Sequence, residues 1–125
     1  MLTLICGLPR AGKTTYSERF DDVIHLDTFG VYQGVIHRVR SKNGDVVVEG
    51  VYHTRYNREC LVRAYGGVGC RCIWLDTPQE VRRTRKGWCE RCDYPFEPPT
   101  LEEGWDEIII IRGDDEQRIN RKTKT

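Results

Sequence analysis

Gly7, Gly12, Lys13 and Thr14 stand at the spacing G-x-x-x-x-G-K-[ST], directly after the apolar run of residues 2–6. Residue types in this order build a loop whose main-chain N–H groups wrap phosphates. The two glycines allow backbone angles and a close approach that a Cβ would obstruct. Lys13 is then the point charge for the β and γ phosphates, and the Thr14 hydroxyl is a ligand for Mg²⁺. A helix beginning near Lys13 aims its positive end at the same phosphates. The expected nucleotide contacts are therefore Gly7, Leu8, Pro9, Arg10, Ala11, Gly12, Lys13, Thr14 and Thr15, with ATP and Mg²⁺ as cofactors.

Four further groups carry candidate chemistry. Asp27 closes the run VIHLD and is expected at the carboxyl end of the second strand, where an open α/β sheet places its ligand crevice. A carboxylate there suits the base that takes the proton of an acceptor hydroxyl in phosphoryl transfer, and it also suits a cap for the next segment. Glu49 ends VVVEG and is expected to support the metal or its waters. Arg82, Arg83, Arg85 and Lys86 crowd one short stretch and are cations that could close over the γ-phosphate; a solvated basic face is the alternative. Cys89 and Cys92 form a C-x-x-C, for which a zinc clip needs two further ligands, and no second pair has matching spacing.

Positioning these groups falls to short apolar runs at residues 2–6, 23–26, 46–48, 72–75 and 108–111, with stretches long enough for helices between most of them. Continuous β-branched runs suit strands of a parallel sheet, and the alternation predicts an α/β layered fold with right-handed crossovers. Helices are expected over residues 14–20, 54–65 and 78–86, the last capped by Thr77 with Pro78 at its first position. Residues 30–40 match both a strand and a helix pattern, and Asn43-Gly44 adds a hairpin signal; the parallel connection around them favours a helix. Residues 87–106 lack a period and read as a lid or extended loop, with the lid spanning about residues 78–106 of a domain over residues 1–113. Residues 114–125 read as a polar tail, either a short helix or disordered.

A chain of 125 residues suits one domain. Its formal charge of +1 does not mark a nucleic-acid binder, so any such case rests on local clusters. No signal peptide or membrane-length apolar run is present, which predicts a cytoplasmic protein with no membrane partner. An ATP motif in such a setting leaves the six cysteines as free thiols.

Taken together, GLPRAGKTT, Asp27, VVVEG, LDTP before an arginine-rich helix, and FEPPTLEEGWDEIIII resemble the P-loop kinase family that includes the kinase domain of phage-type polynucleotide 5′-hydroxyl kinase. The resemblance runs over nearly the whole chain. It implies a three-layer P-loop kinase fold with a parallel five-stranded sheet in the order 2-3-1-4-5 and a lid. It further implies Asp27 as the base for a 5′-hydroxyl, Lys13 and Thr14 on phosphate and metal, and Arg82 and Arg85 as lid arginines. The implied partner is the 5′ end of a nucleic acid. Where that family carries an arginine three residues after the aspartate, this chain has Gly30. Gly30 and the near-neutral charge favour a rival reading, a kinase of a nucleoside, nucleotide, sugar or antibiotic. A nucleotide-binding regulatory module is the alternative outside enzymology.

Overall fold

The computed structural model describes residues 1–66 and 69–121. Six strands form one sheet in the order β2-β3-β1-β4-β5-β6: β1 (Leu2–Cys6), β2 (Ile24–His25), β3 (Val46–Gly50), β4 (Cys70–Leu75), β5 (Glu107–Arg112) and β6 (Asp115–Asn120). The first five are parallel and follow the expected 2-3-1-4-5 order; the sixth runs antiparallel to β5 and corrects the five-stranded expectation. Its residues are those read as a polar tail. DEQRIN has no apolar run because β6 is an edge strand whose first four side chains are exposed; its ladder to β5 holds it, with Ile119 half-buried against the core. Gly113, at φ 61, opens a two-residue connection between the paired Arg112 and Asp115, the position where a hairpin turn requires positive φ.

Side chains alternate along each strand, so the central strands divide between two layers. Leu2, Leu4, Cys6, Val46, Val48, Cys72, Trp74, Ile108 and Ile110 share a cluster with Val35, Leu61, Leu101 and Trp105, from beyond the sheet. The other face is smaller: Ile5, Ile73, Leu75 and Ile109 pack with Ala11, Tyr16 and Phe20. Helix α1 (Lys13–Ser17) thus sits opposite the larger helical layer of α3 (Tyr32–Ser41) and α4 (Arg55–Tyr65).

Several local expectations change. Strand β2 ends at His25, and Leu26 starts a one-turn helix, α2 (Leu26–Phe29), so Asp27 lies in a first helical turn rather than on a strand. Gly30 stops that turn at φ 74 with its N–H on the Leu26 carbonyl, which gives the glycine a backbone role. Residues 32–41 are the helix α3 despite Gly34, whose missing Cβ leaves room for Phe29; an added Cβ would lie 3.1 Å from that ring. Asn43-Gly44 belongs to the passage from α3 into β3, not to a hairpin, because β2 and β3 are parallel. The helix expected over residues 78–86 shrinks to α5 (Gln79–Arg82), and the Thr77 hydroxyl donates to the Ala11 carbonyl instead of capping it.

Residues 87–106 do not form one extended lid. Their second half enters the core: Leu101, Glu103 and Trp105 are buried, and Phe96 stacks on Trp74 with centroids 5.2 Å apart. The anchor is Arg58 of α4, fully buried, which donates to Glu103 Oε1 at 2.7 Å and Oε2 at 3.0 Å and to the carbonyls of Tyr52 and Glu97. Among the described residues no helix is long and apolar enough to cross a membrane.

Candidate active site

The phosphate-loop motif lies between β1 and α1, as its spacing predicts. Gly7 is buried at the base, where an added Cβ would meet the Leu75 carbonyl oxygen at 2.8 Å, so only glycine lets the loop turn against β4. Gly12 takes φ 101 and leads into α1. Four of the loop carbonyls are occupied: Leu8 accepts from Lys13 Nζ at 2.9 Å, Arg10 from Arg85 Nη1 at 2.6 Å, Ala11 from Thr77 Oγ1 at 2.8 Å and Gly12 from the Tyr16 amide. The amides of Gly12, Lys13, Thr14 and Thr15 have no partner among the described residues, so main-chain donors are left to meet a ligand. Helix α1 is only five residues long, so these amides, rather than a long dipole, supply the attraction for an anion.

They open on a cleft of about 960 Å³. Of the expected contacts, Pro9 to Thr15 line it; Gly7 and Leu8 lie beneath the lining and act through the backbone. Asp27, Glu49 and Arg85 line the same cleft. Arg82 does not, which corrects its expected placement. It is buried, with Nε on the Thr77 carbonyl, Nη1 on the Cys92 carbonyl and Nη2 2.7 Å from Asp93 Oδ1, so it ties α5 to the following turn. Arg85, one turn on, is the arginine that reaches the loop.

Glu49 is buried, and its Oε1 accepts from His25 Nδ1–H at 2.7 Å. The two residues are direct partners in the β2–β3 register, so the strand pairing itself creates the contact. His25 is a site residue that sequence reasoning missed: its only signal was a histidine two positions before Asp27, and the register that gives it meaning is not written locally. The Thr14 hydroxyl and the Glu49 carboxylate suit Mg²⁺, which takes few protein ligands and completes its shell with water and phosphate oxygens. No group of three or more carboxylate, histidine or cysteine ligands occurs among the described residues. The β5–β6 turn and the start of β6 also line the cleft, through Gly113, Asp114, Asp115 and Glu116.

Lys13 is 9% exposed, and its pKa falls below the ordinary 10.5 because burial penalises the ammonium, against the pull of Glu49 and Asp27. The sign follows from linkage. In the free protein the buried charge costs stability at neutral pH, and the cost is relieved as pH rises from the lowered value towards 10.5. A polyphosphate favours the charged form and raises the pKa again, so its affinity is full below the free-protein pKa and falls as pH rises through it. Calorimetric titration with ATP in buffers of different ionisation enthalpy should therefore show proton uptake at alkaline pH. Lys13→Met should abolish that uptake without lowering the stability of the free protein.

No protein-family model matches the sequence, and no curated protein matches it. Solved structures do. Kti12 of Chaetomium thermophilum, crystallised with ADP-AlF3, superposes with a TM-score of 0.66 at 14% identity over 92% of this chain and 90% of that one. A gluconokinase from Sinorhizobium meliloti 1021 gives a TM-score of 0.64 at 14% identity, over 90% and 82%. The chain shares its fold with both. That likeness covers the architecture, and the chemistry rests on the residues in the cleft.

Proposed function

We propose that this chain is an ATP-dependent phosphotransferase whose acceptor is an alcohol, the 5′-hydroxyl of a DNA or RNA strand. The observation that carries the reading is the convergence of Lys13, the free loop amides and Asp27 on one cleft. Loop amides and Lys13 hold the triphosphate, while Arg85, already bonded to the loop, supplies charge over the γ-phosphate. Asp27 accepts the proton of the attacking hydroxyl; its oxygen bonds to the γ-phosphorus as the bond to the β-γ bridging oxygen breaks, releasing ADP. Thr14 and Glu49 would hold Mg²⁺, which neutralises charge on the phosphate oxygens. His25 fixes the Glu49 carboxylate.

Exposed aromatics support a polynucleotide acceptor. Phe29 (40% exposed) shares α2 with Asp27, and Tyr56 (69% exposed) sits in the first turn of α4 beside the exposed Arg55. Both elements follow the carboxyl ends of strands, on the cleft side of the sheet, and aromatics of this kind stack bases. A small-molecule alcohol is the second reading, favoured by Gly30, which offers open space where an arginine would hold a substrate phosphate.

The test offers labelled ATP with 5′-hydroxyl oligonucleotides, nucleosides or sugars. Label on oligonucleotides, with binding that weakens steeply as salt rises, is expected. Label on nucleosides or sugars alone would replace the acceptor, and label on none of them, with ATP bound, would refute the enzyme.

A further inference from the structure

We propose that Cys89 and Cys92 form half of a tetrahedral thiolate site for zinc, completed by the same two cysteines of a second copy of this chain. Their sulfurs lie 3.8 Å apart on a single 3₁₀ turn, Glu90–Cys92, closed by the Cys92 amide on the Cys89 carbonyl. Zn–S bonds of about 2.3 Å at tetrahedral angles set an S···S edge of about 3.8 Å, so the two thiols already stand at adjacent corners. A disulfide would need them at about 2.05 Å. Cys89 is exposed and Cys92 half-buried, and both are free.

The chain does not complete the site alone. Among the described residues no third histidine, cysteine or carboxylate joins the pair in a metal-holding group. The remaining positions, 67–68 and 122–125, carry only Gly, Val, Lys and Thr. Asp93, next in sequence, has its carboxylate on Arg82 and Gln79. Structural zinc takes four ligands, and a two-fold pairing of identical turns provides them. Binding releases four thiol protons and leaves a centre of charge 2−, which Arg91 within each turn and Lys86 just before it offset. This inference is independent of the nucleotide reading. One link to it exists: Arg82 donates to the Cys92 carbonyl, so a metal-tied turn would also fix α5, after which Arg85 follows.

The test uses the full chain, reduced and free of oxygen, titrated with Co²⁺ as a spectroscopic probe and then Zn²⁺, with molar mass followed by light scattering. Expected are tetrahedral thiolate absorption saturating at one ion per two chains, and a mass rising from 14.6 kDa to twice that, reversed by EDTA. Cys89→Ser and Cys92→Ser should each lose ion uptake and dimer while ATP-induced thermal stabilisation persists; Cys60→Ser should keep all three. Absence of uptake by the native chain, or one ion per chain at monomer mass, would overturn the proposal, and EDTA reversal in the native chain tests it without any variant.

Discussion

Asp27→Asn is expected to lower phosphoryl transfer by about 10²–10⁴-fold, the range that a positioned general base contributes. ATP affinity should stay within about threefold, because the triphosphate is held by main-chain amides and Lys13, which the substitution leaves in place. The exchange keeps the size of the side chain and removes its ability to take a proton. Asp27 is exposed on the short helix α2, so the fold should tolerate the change. Loss of the carboxylate also removes one of the charges that oppose the lowering of the Lys13 pKa, so ATP binding should become more sensitive to alkaline pH in the variant. Single-turnover transfer to the labelled acceptor, together with calorimetric ATP affinity, separates the two quantities. Transfer at the native rate would remove Asp27 from the chemistry, whereas equal loss of transfer and ATP binding would make it a donor-site residue.

Arg58→Met should destabilise the fold by about 3–5 kcal/mol, as expected when one member of a buried ion pair is removed and the other is left without its counter-charge. Glu103 is fully buried and would keep the Thr100 amide and the Trp105 indole N–H as donors, with Arg55 3.7 Å away. Those contacts place the cost at the lower part of the range. The carbonyls of Tyr52 and Glu97 would also lose donors. Replacing both charges, Arg58→Met with Glu103→Leu, should cost less than the sum of the single changes, since the stranded charge disappears. Urea denaturation of the four proteins measures the coupling; a loss below about 1 kcal/mol for Arg58→Met would show that Phe96, Leu101 and Trp105 hold this segment by packing alone.

The contrast between Arg85 and Arg82 shows why clusters of like residues read poorly from sequence. They lie three positions apart, carry the same charge and suit the same role, yet one lines the cleft and the other is buried under α5. What separates them is the path of the chain after Arg82, where Asp93 returns to meet its guanidinium across eleven positions. Leu101 and Trp105 mislead in a similar way: they stand among prolines and charges in a stretch without period, and it is Arg58, far away in sequence, that brings a buried counter-charge to Glu103 between them. β6 was hidden for the opposite reason, since a polar strand can be stabilised by its ladder when the neighbour to pair with already exists.

The strand order was implied by the family resemblance; the sequence by itself determined the phosphate loop, five strand-length runs of a parallel sheet and the end of the sheet where the chemistry gathers. Each of these depends on local spacing: glycines where a Cβ cannot fit, apolar runs of strand length, crossovers that a parallel sheet requires. Only the tertiary structure decided that His25 serves Glu49, that Arg82 braces rather than lines the cleft, that Phe96, Leu101, Glu103 and Trp105 pack into the interior and that a sixth strand joins the sheet. These are contacts between residues far apart along the chain, and their energies depend on register and burial, which no local pattern encodes.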